Sequence, residues 1–328
     1  MIIFGCSDIG PAKYIAELQE NFPDSYVVAS KLNRFLFSIS KCIAFANHED
    51  LKPNLIVTGT SLNDLEDNID KKLLIWANQN GVPSISIIEH WSWYIKRFKF
   101  EGSLLLPNYI ILNDQFAFEQ AINEGLPSNR LRTLGNPYLE RILTINNEDK
   151  DTKGIKHFCS FPPGKKLIFF ISEELKKSFP PNSNDYMGYD EFMVLEILKS
   201  TISPNDHLVI KLHPEECKSK YIHQVSERIT IVESFPLEEM VTIADKIVGM
   251  ASMLLLEASL HRNDVISFRP NANKQFIGKT LGVLTEINRE KELISALRFG
   301  VKANNSSTMN FKGSKKRITN FLRSISKQ

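Results

Sequence analysis

Asp206-His207-Leu208-Val209-Ile210-Lys211-Leu212-His213-Pro214 and Asp245-Lys246-Ile247-Val248-Gly249-Met250-Ala251-Ser252 are the two runs whose reading decides how this chain folds. Each is a short apolar segment with β-branched residues that stops at a turn former, which is the chemistry of a buried strand. A helical stretch, Leu254 to Leu260, follows the second run, and a helix, a strand and an acidic helix are predicted between the two. Strand alternating with helix builds a parallel sheet, so both turns belong at carboxyl ends of strands, the edge where open α/β sheets bind ligands.

The residues in these turns suit an anion. His213 stands at a strand end with Pro214 fixing the turn, and an imidazole there can contact a phosphate oxygen and offset charge on a leaving group. Met250, Ala251 and Ser252 open a helix and would offer a hydroxyl and backbone N–H groups to the same anion. Glu257, about one turn along, is placed for a ribose. Ser172, just after the predicted strand Lys165 to Ile171, joins this set. Each residue has a plainer alternative: His213 capping a turn, Ser252 acting only as an N-cap, Glu257 solvated.

Working outward, the first half repeats strand and helix about six times. Met1 to Phe4 runs into Gly5-Cys6-Ser7-Asp8-Ile9-Gly10-Pro11, a helix-start turn. Tyr26 to Ala29 is a strand, a helical stretch is predicted around 33–48, and Leu55 to Val57 breaks at Thr58-Gly59-Thr60-Ser61. A helix predicted from near Asn63 ends at Gly81. The strand Ser84 to Ile88 then arrives at Glu89-His90-Trp91-Ser92-Trp93-Tyr94, the most chemically loaded junction of this half. A carboxylate against an apolar wall has its pKa raised, which makes Glu89 the first candidate for a general base, with Asp64 and Asp8 behind it. His90, Trp91 and Trp93 are candidates for stacking on a sugar acceptor. The alternative pairs Glu89 with Lys96 or Arg97 and leaves the aromatics as core. Strands at Tyr109 to Leu112 and Leu131 to Leu134 complete an open doubly wound sheet.

Residues 144–164 turn polar and end on Pro162-Pro163-Gly164, the best boundary in the chain. The expected domains are 1–150 and 151–328, with the option that the last helix packs back on the first. The 328 residues suit two domains, and 40 Lys+Arg against 38 Asp+Glu leave a formal charge of +2, too balanced for wrapping nucleic acid. Lys312, Lys315, Lys316, Arg317, Arg323 and Lys327 form a basic tail suited to peripheral contact with an anionic membrane. Cys6, Cys42, Cys159 and Cys217 show no metal-ligand spacing and read as buried reduced thiols. With no apolar run near the roughly 20 residues that cross a bilayer, a cytoplasmic place is expected, at most at the inner membrane face.

Lys211-Leu212-His213-Pro214 resembles the His-Pro motif of bacterial GT-B sialyltransferases and of related transferases for Kdo and glycerol phosphate. Ala244 to Ser252 resembles the later strand and serine turn of that group, and Gly135-Asn136-Pro137 resembles the domain junction of UDP-N-acetylglucosamine 2-epimerases. The resemblance implies an α/β GT-B fold, two Rossmann-like doubly wound parallel-sheet domains facing a cleft. It also implies that His213 and Ser252 hold a nucleotide phosphate. The first-half acidic pair followed by Gly that supplies the base in such sialyltransferases is absent here, and the serine pair of some relatives is Ser252 alone.

The expectation is therefore a metal-independent glycosyltransferase without cofactor. It would move a nonulosonate or Kdo-type sugar from a CMP donor, a nucleotide-sugar co-substrate, to a glycan or lipid-linked acceptor of a bacterial surface polysaccharide. Nucleotide-sugar 2-epimerisation or hydrolysis on the same fold, and a catalytically silent scaffold, are the alternatives.

Overall fold

A computed structural model describes residues 1–47, 49–62, 68–144, 161–273, 276–301 and 311–327. The chain divides into two units, Met1–Arg141 with Met309–Gln328, and Ile142–Thr308. The boundary expected at residue 150 lies outside the described residues.

In order, the first unit contains β1 (Ile2–Cys6), α1 (Ile9–Gln19), β2 (Ser25–Ala29), β3 (Leu55–Thr58), α2 (Ile69–Asn80) and β4 (Ser84–Ile88). A short hairpin, β5 (Lys99–Phe100) and β6 (Ser103–Leu104), precedes β7 (Tyr109–Leu112), α3 (Gln115–Asn123), β8 (Leu131–Thr133) and the start of α4 (Pro137–Thr144). Six strands form a sheet ordered β2-β1-β3-β4-β7-β8. Its pairings are all parallel, with Phe4 opposite both Val27 and Val57 and Ile87 opposite Ile111. Buried side chains alternate to both faces, Phe4, Val57, Ile85 and Ile111 on one and Ile3, Val28 and Ile56 on the other. Burial on both faces explains why these strands are continuous apolar runs in sequence.

Two expectations change here. Residues 33–48 do not form one helix; short 3₁₀ turns occupy Arg34–Leu36, Ile39–Lys41 and Phe45–Asn47. Only Phe37 and Asn33 of residues 31–40 are buried, so no 3.6-residue apolar stripe exists to hold an α-helix. A parallel bridge from Val27 to Cys42 and the bond from Ile43 N to Val27 O tie the segment down instead. The helix predicted from Asn63 is described only from Ile69, where Asn68 caps it by accepting from Lys71 N.

The second unit contains β9 (Lys166–Ile171), α5 (Leu175–Ser178), α6 (Glu191–Thr201), β10 (Asp206–Lys211), β11 (Ile229–Val232), α7 (Leu237–Ile243) and β12 (Lys246–Gly249). Then come α8 (Met253–His261), β13 (Val265–Phe268), α9 (Ile277–Thr280), β14 (Thr285–Ile287) and α10 (Glu290–Phe299). The sheet is again six-stranded, ordered β11-β10-β9-β12-β13-β14, and its pairings are parallel. Ile168, Phe170, Leu208, Ile210 and Val248 point to one core with α6, where Val194, Leu195 and Leu198 are buried.

The last helix, α11 (Ser314–Ser326), belongs to the first unit. Ile318, Leu322 and Ile325 recur at helical spacing and bury against the α1 side of that core. Its cations are largely spent locally: Lys315 pairs with Glu20, Arg317 donates to Leu134 O, and Arg323 donates to Asn21 O and lies over the Phe22 ring. Among the described residues no helix is long and apolar enough to cross a membrane.

Each sheet reverses its order once, between β1 and β3 in the first unit and between β9 and β12 in the second. At such switch points the loops leave in opposite directions and open a crevice at the carboxyl ends of the strands.

Candidate functional site

In the first unit, the ends of β1, β3 and β4 gather the acidic chemistry. Asp70, in the first turn of α2, is 3% exposed, and its Oδ2 accepts from Ser7 N at 3.3 Å and Ser61 N at 3.2 Å. One carboxylate thus ties the turn after β1 to the turn after β3, across the switch point. Burial pushes its pKa up to about 7, with the negative charge of Asp8 adding to the rise and hydrogen bonds from Ser7 and Ser61 opposing it. Oδ1 is buried without a hydrogen-bond partner, which is a cost the fold carries at this position. No local pattern signals this bond, since Asp70 and Ser7 are 63 residues apart.

Glu89 follows β4, two strands from β1 in the sheet. Its Oε2 is buried without a hydrogen-bond partner, and its Oε1 packs so close to Gly10 that a Cβ there would come within 2.8 Å. Burial raises the Glu89 pKa, Arg97 opposes that rise, and Asp8 reinforces it. The ion pair with Lys96 or Arg97 does not form. Arg97 instead donates to Thr60 O at 2.6 Å and Ser92 O at 3.1 Å, fastening the β3 and β4 turns together, while the Lys96 ammonium lies 4.7 Å from the Trp93 ring centroid. Glu89 is therefore a carboxyl whose pKa is raised by desolvation against the opposing charge of Arg97, with one oxygen left without a partner.

The aromatic run after Glu89 divides. Trp91 is 6% exposed and donates from Nε1 to Asp114 Oδ2 at 2.7 Å, and Tyr94 is fully buried, so both serve the core. Trp93 is 38% exposed and holds φ at 62°, a left-handed conformation that costs a bulky residue about 1 kcal/mol. Only Trp93 of the three offers a face to a ligand. His90 lies 2.8 Å from Ser92 Oγ through Nδ1, and burial beside Arg97 depresses its pKa to about 4, leaving it neutral at pH 7. Asp8 precedes α1 as its N-cap residue and is half-buried. Asp64 lies outside the described residues.

In the second unit, the ends of β10, β9 and β12 are adjacent. His213 donates its backbone N–H to Glu216 Oε2 at 2.6 Å, and its Nδ1 accepts from Glu215 N at 3.3 Å. With Nδ1 used as acceptor, the neutral ring carries its proton on Nε2, a donor fit for an oxyanion. Pro214 is exposed. Glu216 is the anchor of the turn: Oε1 accepts from Ser172 Oγ at 2.8 Å and from Lys220 Nζ at 2.5 Å, and Lys220 reaches Glu191 at 2.5 Å. Ser172, 1% exposed and also 2.7 Å from Tyr221 Oη, is thus part of the support.

Ser252 caps α8, its Oγ accepting from Leu255 N at 3.1 Å; Met250 is buried in the core, so only its backbone is available to a ligand. Ala251 N donates to Glu173 Oε1 at 2.7 Å. Glu173 thereby bridges the second switch point as Asp70 bridges the first, and its pKa is likewise pushed up to about 7 by burial, against hydrogen bonds from Ala251 and its neighbours and the charge of Arg269. The turn thus receives a carboxylate where a phosphate was expected, which shows its amides to be oxyanion donors. Arg269, 1% exposed, pairs with Glu286 at 2.7 Å and donates to Tyr189 Oη at 2.8 Å. Glu257 is 5% exposed on α8.

Among the described residues no group of three or more His, Cys, Asp or Glu could hold a metal ion. Of the thiols, Cys6 is buried and Cys42 half-buried, but Cys217 is exposed with Sγ 2.8 Å from Ser219 Oγ, and Cys159 lies outside the described residues.

No family model and no curated protein sequence matches this chain. Solved structures do. UDP-GlcNAc 2-epimerase from Neisseria meningitidis bound to UDP-GlcNAc is similar at 15% identity and a TM-score of 0.67, covering 98% of this chain and 99% of that one. The wall teichoic acid polymerase TagF is similar at 12% and 0.60, covering 100% and 89%. The HepE protein of Anabaena in complex with UDP-glucose is similar at 12% and 0.63, covering 100% and 98%. At these identities the likeness is one of fold: two Rossmann-like parallel-sheet units of GT-B type.

Proposed function

We propose that the chain is an enzyme acting on a nucleotide sugar, with Glu89 moving a proton while the bond between the anomeric carbon and the phosphate is cleaved. The observation that carries this reading is the Glu89 carboxyl: on a half-buried residue, raised in pKa, with Oε2 buried and without a partner, at the carboxyl end of a central strand. A carboxyl buried unpaired costs stability, and such a cost is usual where the group has work to do.

The second unit takes the nucleotide. His213 donates from Nε2 to a phosphate oxygen, and a second oxygen reaches the amides around Ala251 and Ser252 only by displacing the Glu173 carboxylate that they now hold. Uridine is favoured over the CMP donor, because UDP-GlcNAc and UDP-glucose are the ligands named for proteins of like fold.

The favoured reaction is epimerisation at C2, or hydrolysis along the same route. Glu89 takes the C2 proton as the nucleoside diphosphate leaves C1, giving a C1–C2 double bond. Return of a proton to the opposite face, with re-addition of the diphosphate, yields the epimer. Asp8, whose charge Glu89 already feels, is the second proton-holding group. Of the acceptor-binding candidates His90, Trp91 and Trp93, Trp91 is 6% exposed and Trp93 is the exposed ring.

Glycosyl transfer remains the second reading, on one observation: Trp93, four residues after Glu89 in sequence, is exposed and suits a sugar acceptor. Incubation with UDP-GlcNAc or UDP-glucose in D₂O separates the two. Epimerisation incorporates solvent deuterium at C2, whereas transfer releases nucleotide only when an acceptor is added and leaves C2 unlabelled. Failure to bind either sugar nucleotide, or UDP, contradicts both.

A further inference from the structure

The segment after β2 carries an exposed apolar cluster that the proposed chemistry does not use. Leu32 is 84% exposed, Phe35 74% and Ile39 91%. Three large apolar side chains in eight residues, standing almost fully in water, are far from the scattered single exposures of an ordinary surface.

The backbone beneath them is anchored. Asn33, 3% exposed, donates to Ser7 O at 2.8 Å and to Ser30 Oγ at 2.9 Å; Phe37, 7% exposed, plugs the core; and Ile43 N is bonded to Val27 O. Inward Asn33 and Phe37 alternate with outward Leu32, Phe35 and Ile39, and the 3₁₀ turns at Arg34–Leu36 and Ile39–Lys41 fix that alternation. The cluster is thus held outward by the fold.

Its charge is of one sign. Lys31 and Arg34 lie exposed among the apolar residues, Lys41 follows them, and no acidic residue occurs between Asp24 and Glu49. Lys41 donates to Pro23 O at the surface, and Arg34 reaches Ala29 O at 3.4 Å through Nε while staying exposed. Apolar side chains that enter the acyl boundary, with cations beside them at headgroup level, fit an anionic lipid surface.

We infer that residues 31–41 dock the first unit on an anionic phospholipid bilayer, Leu32, Phe35 and Ile39 entering the interface and Lys31 and Arg34 meeting headgroup phosphates. The site lies close to the β1 turn, because Asn33 binds the carbonyl of Ser7, whose amide binds Asp70. Docking here would bring the acidic strand ends toward a membrane-borne molecule. This places the contact on a different segment from the basic C-terminal tail.

Co-sedimentation of the full chain with phosphatidylcholine vesicles, with and without phosphatidylglycerol, tests the inference. Wild-type protein is expected to sediment with the anionic vesicles, less so at high salt, and to stay in solution with phosphatidylcholine alone. The Leu32→Ser/Phe35→Ser/Ile39→Ser variant should keep its melting temperature and lose sedimentation, and Lys31→Glu/Arg34→Glu should lose the anionic preference. A Lys316→Glu/Lys327→Glu variant in the tail should sediment like wild type. The inference fails if wild type does not bind, if the serine variant binds as wild type does, or if the tail variant alone loses binding. It fails equally if wild type elutes as a dimer that the serine variant abolishes, since the cluster would then be a surface for a second copy.

Discussion

Glu89 and Asp70 share a strand edge and a burial penalty, yet the residues around them assign different work. Each leaves one carboxylate oxygen without a partner; Asp70 differs in that its Oδ2 holds two backbone amides from separate turns, which suits a positioning role, and Glu89 is the group we propose to act. Burial pushes the Asp70 pKa up to about 7 in the folded chain, above the ordinary carboxylate value of about 4, so the folded state binds more protons between those limits. Stability from this group is therefore greatest at acid pH, falls as pH rises from about 4 to 7, and is flat above. Asp70→Asn should remove that fall, so that denaturant-derived stability at pH 8 rises relative to wild type by roughly 2–4 kcal/mol while pH 4 values converge. Gly10→Ala tests the tight approach to Glu89: a Cβ within 2.8 Å of Oε1 must displace the carboxylate, and a shift of about 1 Å in a reacting group costs on the order of 100-fold in kcat. An unchanged kcat in that variant would show that the Glu89 position is not critical.

At the scale of elements, the strand ends were readable and their fastenings were not. The His213-Pro214 and Met250-Ala251-Ser252 turns follow β10 and β12 as the apolar runs required, and Ser252 caps its helix as Ser does when a helix starts. Nothing local marks the roles of Glu216, Glu173 and Asp70. Glu173 meets Ala251 across 78 residues, and the Glu216 to Ser172 bond spans 44. The segment 33–48 was misread for the opposite reason: its apolar residues have helical density, but Leu32, Phe35 and Ile39 face solvent, so composition alone could not place them. The Glu191–Lys220–Glu216 ladder leads to a prediction at this scale. Glu216→Ala leaves Lys220 with one buried partner and the His213 amide with none, and should cost about 3–5 kcal/mol in stability. Glu216→Gln keeps the shape and should lose less, while weakening UDP binding through the loosened turn; equal binding by both variants and wild type would separate the ladder from the ligand.

The whole chain pairs two sheets of like construction, each with its switch point closed by a buried carboxyl whose pKa is pushed to about 7. Alternating strands and helices made this architecture legible, since a parallel sheet needs a crossover after each strand. The proposed division of labour was legible only in part: the turns after β10 and β12 stand out in the sequence through His213 and Ser252, whereas the setting of Glu89 depends on how Gly10, Asp8 and Arg97 surround it. Any ligand that binds the folded chain alone raises its melting temperature, so UDP should give a concentration-dependent rise that His213→Ala diminishes. The most direct test joins that readout to turnover in Glu89→Gln. Nucleotide release or C2 deuterium uptake from UDP-sugars should fall by about 100-fold or more, as loss of a general base requires, while the UDP-induced rise in melting temperature stays at the wild-type value. Full turnover in Glu89→Gln would contradict the account.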